Sequence, residues 1–149
     1  MGDKRIGRRI SPEFWVKVAE KEMKRAEDAF SRGDYPDCVF HAQQATEKMA
    51  KALLEANGII VRDHYVSEKL RGIVNDNLIK NVRWFEEDKK WEISRYPIEK
   101  GGEILMPDEI FDREVAEEAL NKAKFVVSEI EKILKEKYGL SLGEGSERL

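Results

Sequence analysis

The stretch from Asp34 to Gly58 constrains this chain more than any other. Asp34 suits a helix N-cap, Pro36 is tolerated in a first turn, and Gly58 is a natural stop. At about 100° per residue, Cys38, Ala42, Ala45, Met49, Leu53 and Ala56 share one face. Val39, Phe40, Ala50 and Leu54 carry the apolar surface round to the far side. Only a narrow polar strip is left: Asp37, Gln44, Lys48, Lys51 and Glu55. A helix that is apolar most of the way round is a central one. It must be covered by other helices of its own chain or by a second copy, and its alanines let a neighbour come close.

The rest of the chain supplies those neighbours. Ser11-Pro12 opens a first helix carrying Phe14, Trp15, Val18, Ala19, Ala26, Ala29 and Phe30 at helical spacing, and Gly33 ends it. Residues 59–65 form a connector containing Arg62, Asp63 and His64. A short helix is expected after Ser67, with Leu70, Ile73 and Val74, broken by Asn75-Asp76-Asn77. Residues 78–94 read as one helix with Leu78, Ile79, Val82, Phe85 and Ile93 inward. Pro97 disfavours helical geometry at Tyr96. Gly101-Gly102 and Pro107 then mark residues 96–107 as a loop, of a length that is often functional. A last helix is expected from Asp112 to Tyr138, with Ala116, Ala119, Ala123, Val126, Val127, Ile130, Ile133 and Leu134 as its stripe. Residues 139–149 read as a mobile tail. No strand pattern and no repeat stands out. The expectation is an all-α, up-and-down antiparallel bundle of four long helices plus a short one, a single domain over 1–149 with its core at about 12–138.

Composition narrows the function classes. Apolar residues make up 41% of the 149, too many for a disordered chain, and the net charge of −3 argues against wholesale electrostatic nucleic-acid binding. The one basic cluster, Lys4, Arg5, Arg8 and Arg9, reads as a solvated end. A single cysteine, Cys38, fits a reducing cytosol, and with two histidines it supplies too few ligands for a Cys/His zinc site. No apolar run approaches the ~20 residues of a membrane span, and no apolar stretch of signal-peptide type is present. A cytoplasmic protein without membrane contact, metal or cofactor is expected. The glycine-rich phosphate loops, HExxH, CxxC and GxSxG are all missing from the sequence.

Candidate functional residues are therefore the odd ones on a regular bundle. Gln43 and Glu47, four apart, project among apolar neighbours; they either pair with each other or hold a cation or partner. His41, at the edge of the polar strip, could be a base or a satisfied boundary residue, and His64, in the connector beside Arg62 and Asp63, could be a base or an ordinary loop histidine. Trp84 and Trp91, seven apart, would share an outer face as a partner surface or stacking platform, unless another element covers them. Arg95 leaves the fourth helix and suits either a phosphate or the helix-terminal carbonyls. With Tyr96, Lys100, Gln43 and Glu47 it would make a small anion pocket.

Gly33-Asp34-Tyr35, the run CVFHAQQATEKMAKALL from Cys38 to Leu54, the Arg95-Tyr96-Pro97 exit and the alanine-rich last helix together resemble HEPN domains over roughly residues 12–138. The resemblance implies a bundle of four long helices plus a short one, usually homodimeric. Many members pair with a minimal nucleotidyltransferase in a toxin–antitoxin-like system. Others are metal-independent ribonucleases using an Arg, four to six residues, then a His. No Arg of this chain precedes His41 or His64 at that spacing, so the resemblance carries over no catalytic residue. The leading expectation is a binding module that partners a nucleotidyltransferase and contacts nucleotide or RNA. The alternatives are a ribonuclease with a non-standard site built from Arg95 and His41 or His64, and a structural dimeric adaptor.

Overall fold

The computed structural model describes residues 11–142. Helix α1 is Pro12–Ser31, α2 Tyr35–Ala56, α3 Asp76–Glu86, α4 Lys90–Ile93, α5 Pro107–Ile110 and α6 Arg113–Tyr138. Strands β1 (Ile98–Lys100) and β2 (Glu103–Leu105) form a hairpin between α4 and α5. Four helices start on a side-chain cap. Ser11 accepts from the Phe14 amide, Asp34 from Asp37, Asn75 from Leu78 and Asp112 from Val115. Each cap satisfies an amide that the helix itself cannot.

Helix α2 lies at the centre, with α1 and α6 making the most extensive contacts on it. Ala42, Ala45, Ala50, Ala52, Leu53 and Leu54 have no accessible surface, so the apolar wrap is covered within one chain. Small residues line the approach of the long helices. Ala19, Ala26 and Ala29 of α1 and Ala116, Ala119 and Ala123 of α6 are all fully buried. One core cluster gathers Met49, Leu53, Val66, Leu70, Ile130 and Leu134. The other gathers Cys38, Val39, Phe85 and Phe111 toward the opposite end.

The structure departs from the sequence-based expectations at several points. The helix expected over residues 78–94 is broken. Asp88 and Lys89 take left-handed φ values of 60° and 48°, and the Lys90 ammonium donates to the carbonyls of Trp84 (2.8 Å) and Glu87 (3.1 Å). A buried lysine thus serves the carbonyls at the end of α3. The short helix after Ser67 is a single 3₁₀ turn, Glu68–Leu70. The loop at 96–107 contains the hairpin, in register Ile98↔Leu105 and Lys100↔Glu103. Gly101 and Gly102 both take positive φ, the geometry of the tight turns that match strand twist. Lys51 and Glu55, expected on the polar strip, are both buried; Lys51 turns in to pair with Glu47 and lies over the Trp15 ring of α1. Phe14 is exposed and Val16 takes its place in the core. Leu140 and Leu142 pack against the core, so the chain does not become a free tail at residue 139. The basic cluster Lys4 to Arg9 and residues 143–149 lie outside the described residues.

Candidate functional site

Phe40, Gln43, Gln44, Glu47 and Lys51 fall along one side of α2, three or four residues apart, and two clusters form on it. The first is built on Glu47, which is 2% exposed. Its Oε1 accepts from Gln43 Nε2 at 2.8 Å, and its Oε2 accepts from Lys51 Nζ at 2.9 Å. Lys48 adds a looser contact at 3.4 Å. His64 Nδ1, from the connector, stands 2.8 Å from the same Oε1. Burial alone would raise the Glu47 pKa. The charge of Lys48 and the hydrogen bonds from His64, Lys51 and Gln43 outweigh it and hold the carboxyl down at about 2. The His64 ring stacks on Trp91, centroids 4.5 Å apart, and Tyr65 meets the same indole edge-on at 5.2 Å. With Nδ1 on a carboxylate, the neutral ring carries its proton there and leaves Nε2 as its acceptor. The sequence pairs Gln43 with Glu47 but gives no sign that His64 joins them. The fold joins them.

The second cluster lies roughly 10 Å further toward the N-terminus of α2, seven residues at the helical rise. The Arg95 guanidinium sits over the Phe40 ring, 4.1 Å from its centroid, and its Nη1 is 3.9 Å from Asp37 Oδ1. Asp37 is shared. Arg32 approaches at 3.7 Å, and His41 Nε2 at 3.4 Å, while His41 Nδ1 is 2.6 Å from Glu22. Arg95 thus rests on Asp37 and Phe40, whereas Gln43 and Glu47 belong to the His64 cluster. The side chain of Arg95 keeps 45% of its surface exposed. A hollow of about 310 Å³ lies beside it, lined by Asp34, Asp37 and Asp108 with Pro36, Pro97 and Pro107. Three carboxylates against one guanidinium make that hollow acidic, and neither Gln43 nor Glu47 is among the residues that line it. Tyr96 is exposed next to Arg95, and Lys100 stands exposed on β1.

The two tryptophans do not share a face. The break at residues 87–89 sends Trp91 to His64 and leaves Trp84 beside Phe85, with Lys90 and Lys122 over its ring at 4.3 Å and 5.6 Å. Both are half-buried, so they form no continuous outer platform. Trp15, which sequence reasoning assigned to the core, carries Lys48 and Lys51 at 5.8 Å and 5.6 Å from its ring. Among the described residues no His, Cys, Asp and Glu cluster could hold a metal ion. Among the same residues, no helix is long and apolar enough to cross a membrane.

The bundle, its central polar network and the arginine at the exit of α4 define a small all-helical module of a known kind. The family model described as the HEPN domain matches residues 12–133, and the chain belongs to that family. A Methanocaldococcus jannaschii protein named "Putative toxin MJ1304" is 38% identical over 139 residues, covering 85% of this chain and 90% of that one. The crystal structure of ST0689, described as an archaeal HEPN homologue, superposes with a TM-score of 0.70 at 30% identity, over 85% of this chain and all of the other. That of TT1696 from Thermus thermophilus gives 0.68 at 27% identity, over 79% and 94%.

Proposed function

We propose that this chain is the HEPN component of a two-part, toxin-type system, working as a homodimer with a minimal nucleotidyltransferase and binding a nucleotide or RNA end along the strip between Arg95 and His64. The observation that carries the ligand reading is the state of Arg95. Its guanidinium is held flat by Phe40 but only loosely by Asp37. Asp37 keeps Arg32 and His41 if a phosphate takes Arg95 from it. Charge-assisted, planar recognition of phosphate is what a guanidinium does best. The ligand would approach over Phe40 and the half-buried Gln44 side chain, since the acidic hollow repels it. Exposed Tyr96 adds a ring beside the phosphate position. The relative named as a toxin supports the two-part system.

A second reading, metal-independent RNA cleavage, is favoured by one observation. Glu47 orients His64 so that Nε2 is its free base, at the other end of the same strip. Titration of ATP and a fluorescent oligoribonucleotide into wild type, Arg95→Ala and His64→Ala at two salt concentrations separates these. Binding that weakens with salt and is lost in Arg95→Ala supports the module. Cleavage without added metal, lost in His64→Ala, supports the second reading. If neither ligand binds wild type, both fail. Light scattering tests the dimer, and a monomer at high micromolar concentration would refute it. Co-expression with a nucleotidyltransferase encoded beside it tests the partner.

A further inference from the structure

The break between α3 and α4 has no cause in its own residue types. Residues 84–94 contain neither glycine nor proline, and nothing in them stops α3 from running on as one helix. Asp88 and Lys89 nevertheless take left-handed φ values of 60° and 48°, a conformation that non-glycine residues hold only where the surroundings enforce it. Two sets of contacts bear on the break. From outside, the connector grips both sides of it. The Val66 and Ser67 amides and the Ser67 hydroxyl donate to Glu86 at 2.8, 2.9 and 2.6 Å, while His64 and Tyr65 lie against Trp91. From inside, Lys90 reaches back across it.

Lys90 is 7% exposed, and its ammonium is held at three points. It donates to the Trp84 and Glu87 carbonyls and lies 4.3 Å from the centre of the Trp84 ring. In a continuous helix the amides of Asp88 and Trp91, each four residues on, would serve those two carbonyls. Here the ammonium does. A buried ammonium is costly unless it is hydrogen-bonded, so the contacts that shelter Lys90 also oppose straightening of the chain.

The direction of α4 decides what stands on the Arg95–His64 strip. In a continuous helix, positions 84 and 91 would share a face to within about 20°. Trp91 would then follow Trp84, whose ring lies under Lys122, along the α6 side. The break turns Trp91 to His64 instead, and carries Arg95, one turn further on, to Phe40 and Asp37. Both clusters therefore depend on it. We propose that Lys90 is the positioning residue of the strip: it latches a strained hinge between α3 and α4, and so keeps Trp91 against His64 and Arg95 on Phe40. The consequence for ligand binding rests on the function proposed above, whereas the hinge stands on the geometry of this chain alone.

Proton NMR of the histidine rings tests it, since the chain has two histidines and His64→Ala identifies the signals of His64. Stacked on an indole, the His64 ring protons should be shifted upfield in wild type. Lys90→Met keeps an unbranched side chain and removes the donor. It should abolish that shift while circular dichroism shows the bundle still folded. Adding Lys89→Gly to Lys90→Met should bring the shift back, because glycine relieves the left-handed position and weakens a straight helix. Affinity for the fluorescent oligoribonucleotide should fall about tenfold in Lys90→Met, as for loss of one charged hydrogen bond, and recover in the double variant. If wild type binds no oligoribonucleotide, the functional reading fails, and the NMR result still decides the hinge. The proposal is overturned if wild type shows no upfield shift, or if folded Lys90→Met keeps it, which would mean that the connector alone holds the break. It is also overturned if the added glycine restores nothing. Should Lys90→Met not fold, the double variant decides: folded protein with shifted His64 signals supports the latch, and any other result overturns it.

Discussion

His64 Nδ1 lies 2.8 Å from Glu47 Oε1, so a histidine that is nearly half exposed is held by a carboxylate that is almost completely buried. The pair ties the 57–67 connector to the central helix. It also converts a buried charge, which would be costly alone, into the hub of four contacts.

Acid should loosen this hub. The carboxyl of Glu47 titrates at about 2 in the folded chain, below its ordinary 4.5. A depressed carboxyl contributes stability in full above the unfolded pKa and loses it as pH falls through the folded one. The loss should run from about pH 5 down to about pH 2 and be on the order of 3 kcal/mol. Urea midpoints across that window should fall more steeply for wild type than for Glu47→Gln. Parallel curves would mean that Glu47 is not paired in solution.

Lys51 should behave as a core residue despite its charge. Removing it leaves Glu47 buried with one strong partner fewer, and breaking a buried pair typically costs ~3–5 kcal/mol. Leu53→Ala, a truncation in the packed core, should cost ~2–5 kcal/mol. Lys21→Ala, on an exposed face of α1, should stay within about 0.5 kcal/mol. Denaturation midpoints for the three variants decide the matter. A Lys51→Ala midpoint beside that of Lys21→Ala would put Lys51 back on the surface.

The break between α3 and α4 holds two non-glycine residues in the left-handed region. That conformation costs an L-residue roughly 1–2 kcal/mol, which glycine avoids. Lys89→Gly should therefore raise the thermal midpoint, whereas Lys90→Met, which removes the donor to Trp84 and Glu87, should lower it. A continuous α3–α4 helix in solution would reverse the first effect, because glycine weakens a helix interior.

Cys38 should be inert to thiol reagents in the native state. Burial, with Asp37 and Asp34 adding negative charge nearby, pushes its thiol up to about 12, and it has no accessible surface. The thiolate is the reactive form. Modification by a disulfide reagent should thus proceed at the rate of unfolding and speed up with denaturant. Rapid modification of the folded protein would contradict the packing of α2 against α6.

The helices were legible because their signals are local. Ser11, Asp34 and Asp112 start helices, Gly33 and Gly139 end them, and the period of Ala116, Ala119 and Ala123 points inward whatever the partner. The Gly101-Gly102 hairpin escaped notice because three-residue strands are too short to display an alternation. The break at residues 87–89 escaped because neither Asp88 nor Lys89 is a helix breaker by type.

The sequence by itself determined the all-helical bundle, the central place of α2 and the family of the chain, since each of these follows from periodicity, caps and a local motif. Only the tertiary structure decided the sites. Glu47 and His64 are seventeen residues apart and meet because the connector folds back. Arg95 finds Phe40 and Asp37, not Glu47, because α4 crosses α2 near its N-terminal end. Lys122 faces Lys80 and Arg83 because α6 runs beside α3. Periodicity specifies which face of a helix is inward. It does not specify which neighbour a polar side chain at the edge of that face will meet, and that pairing determines charge state and chemistry.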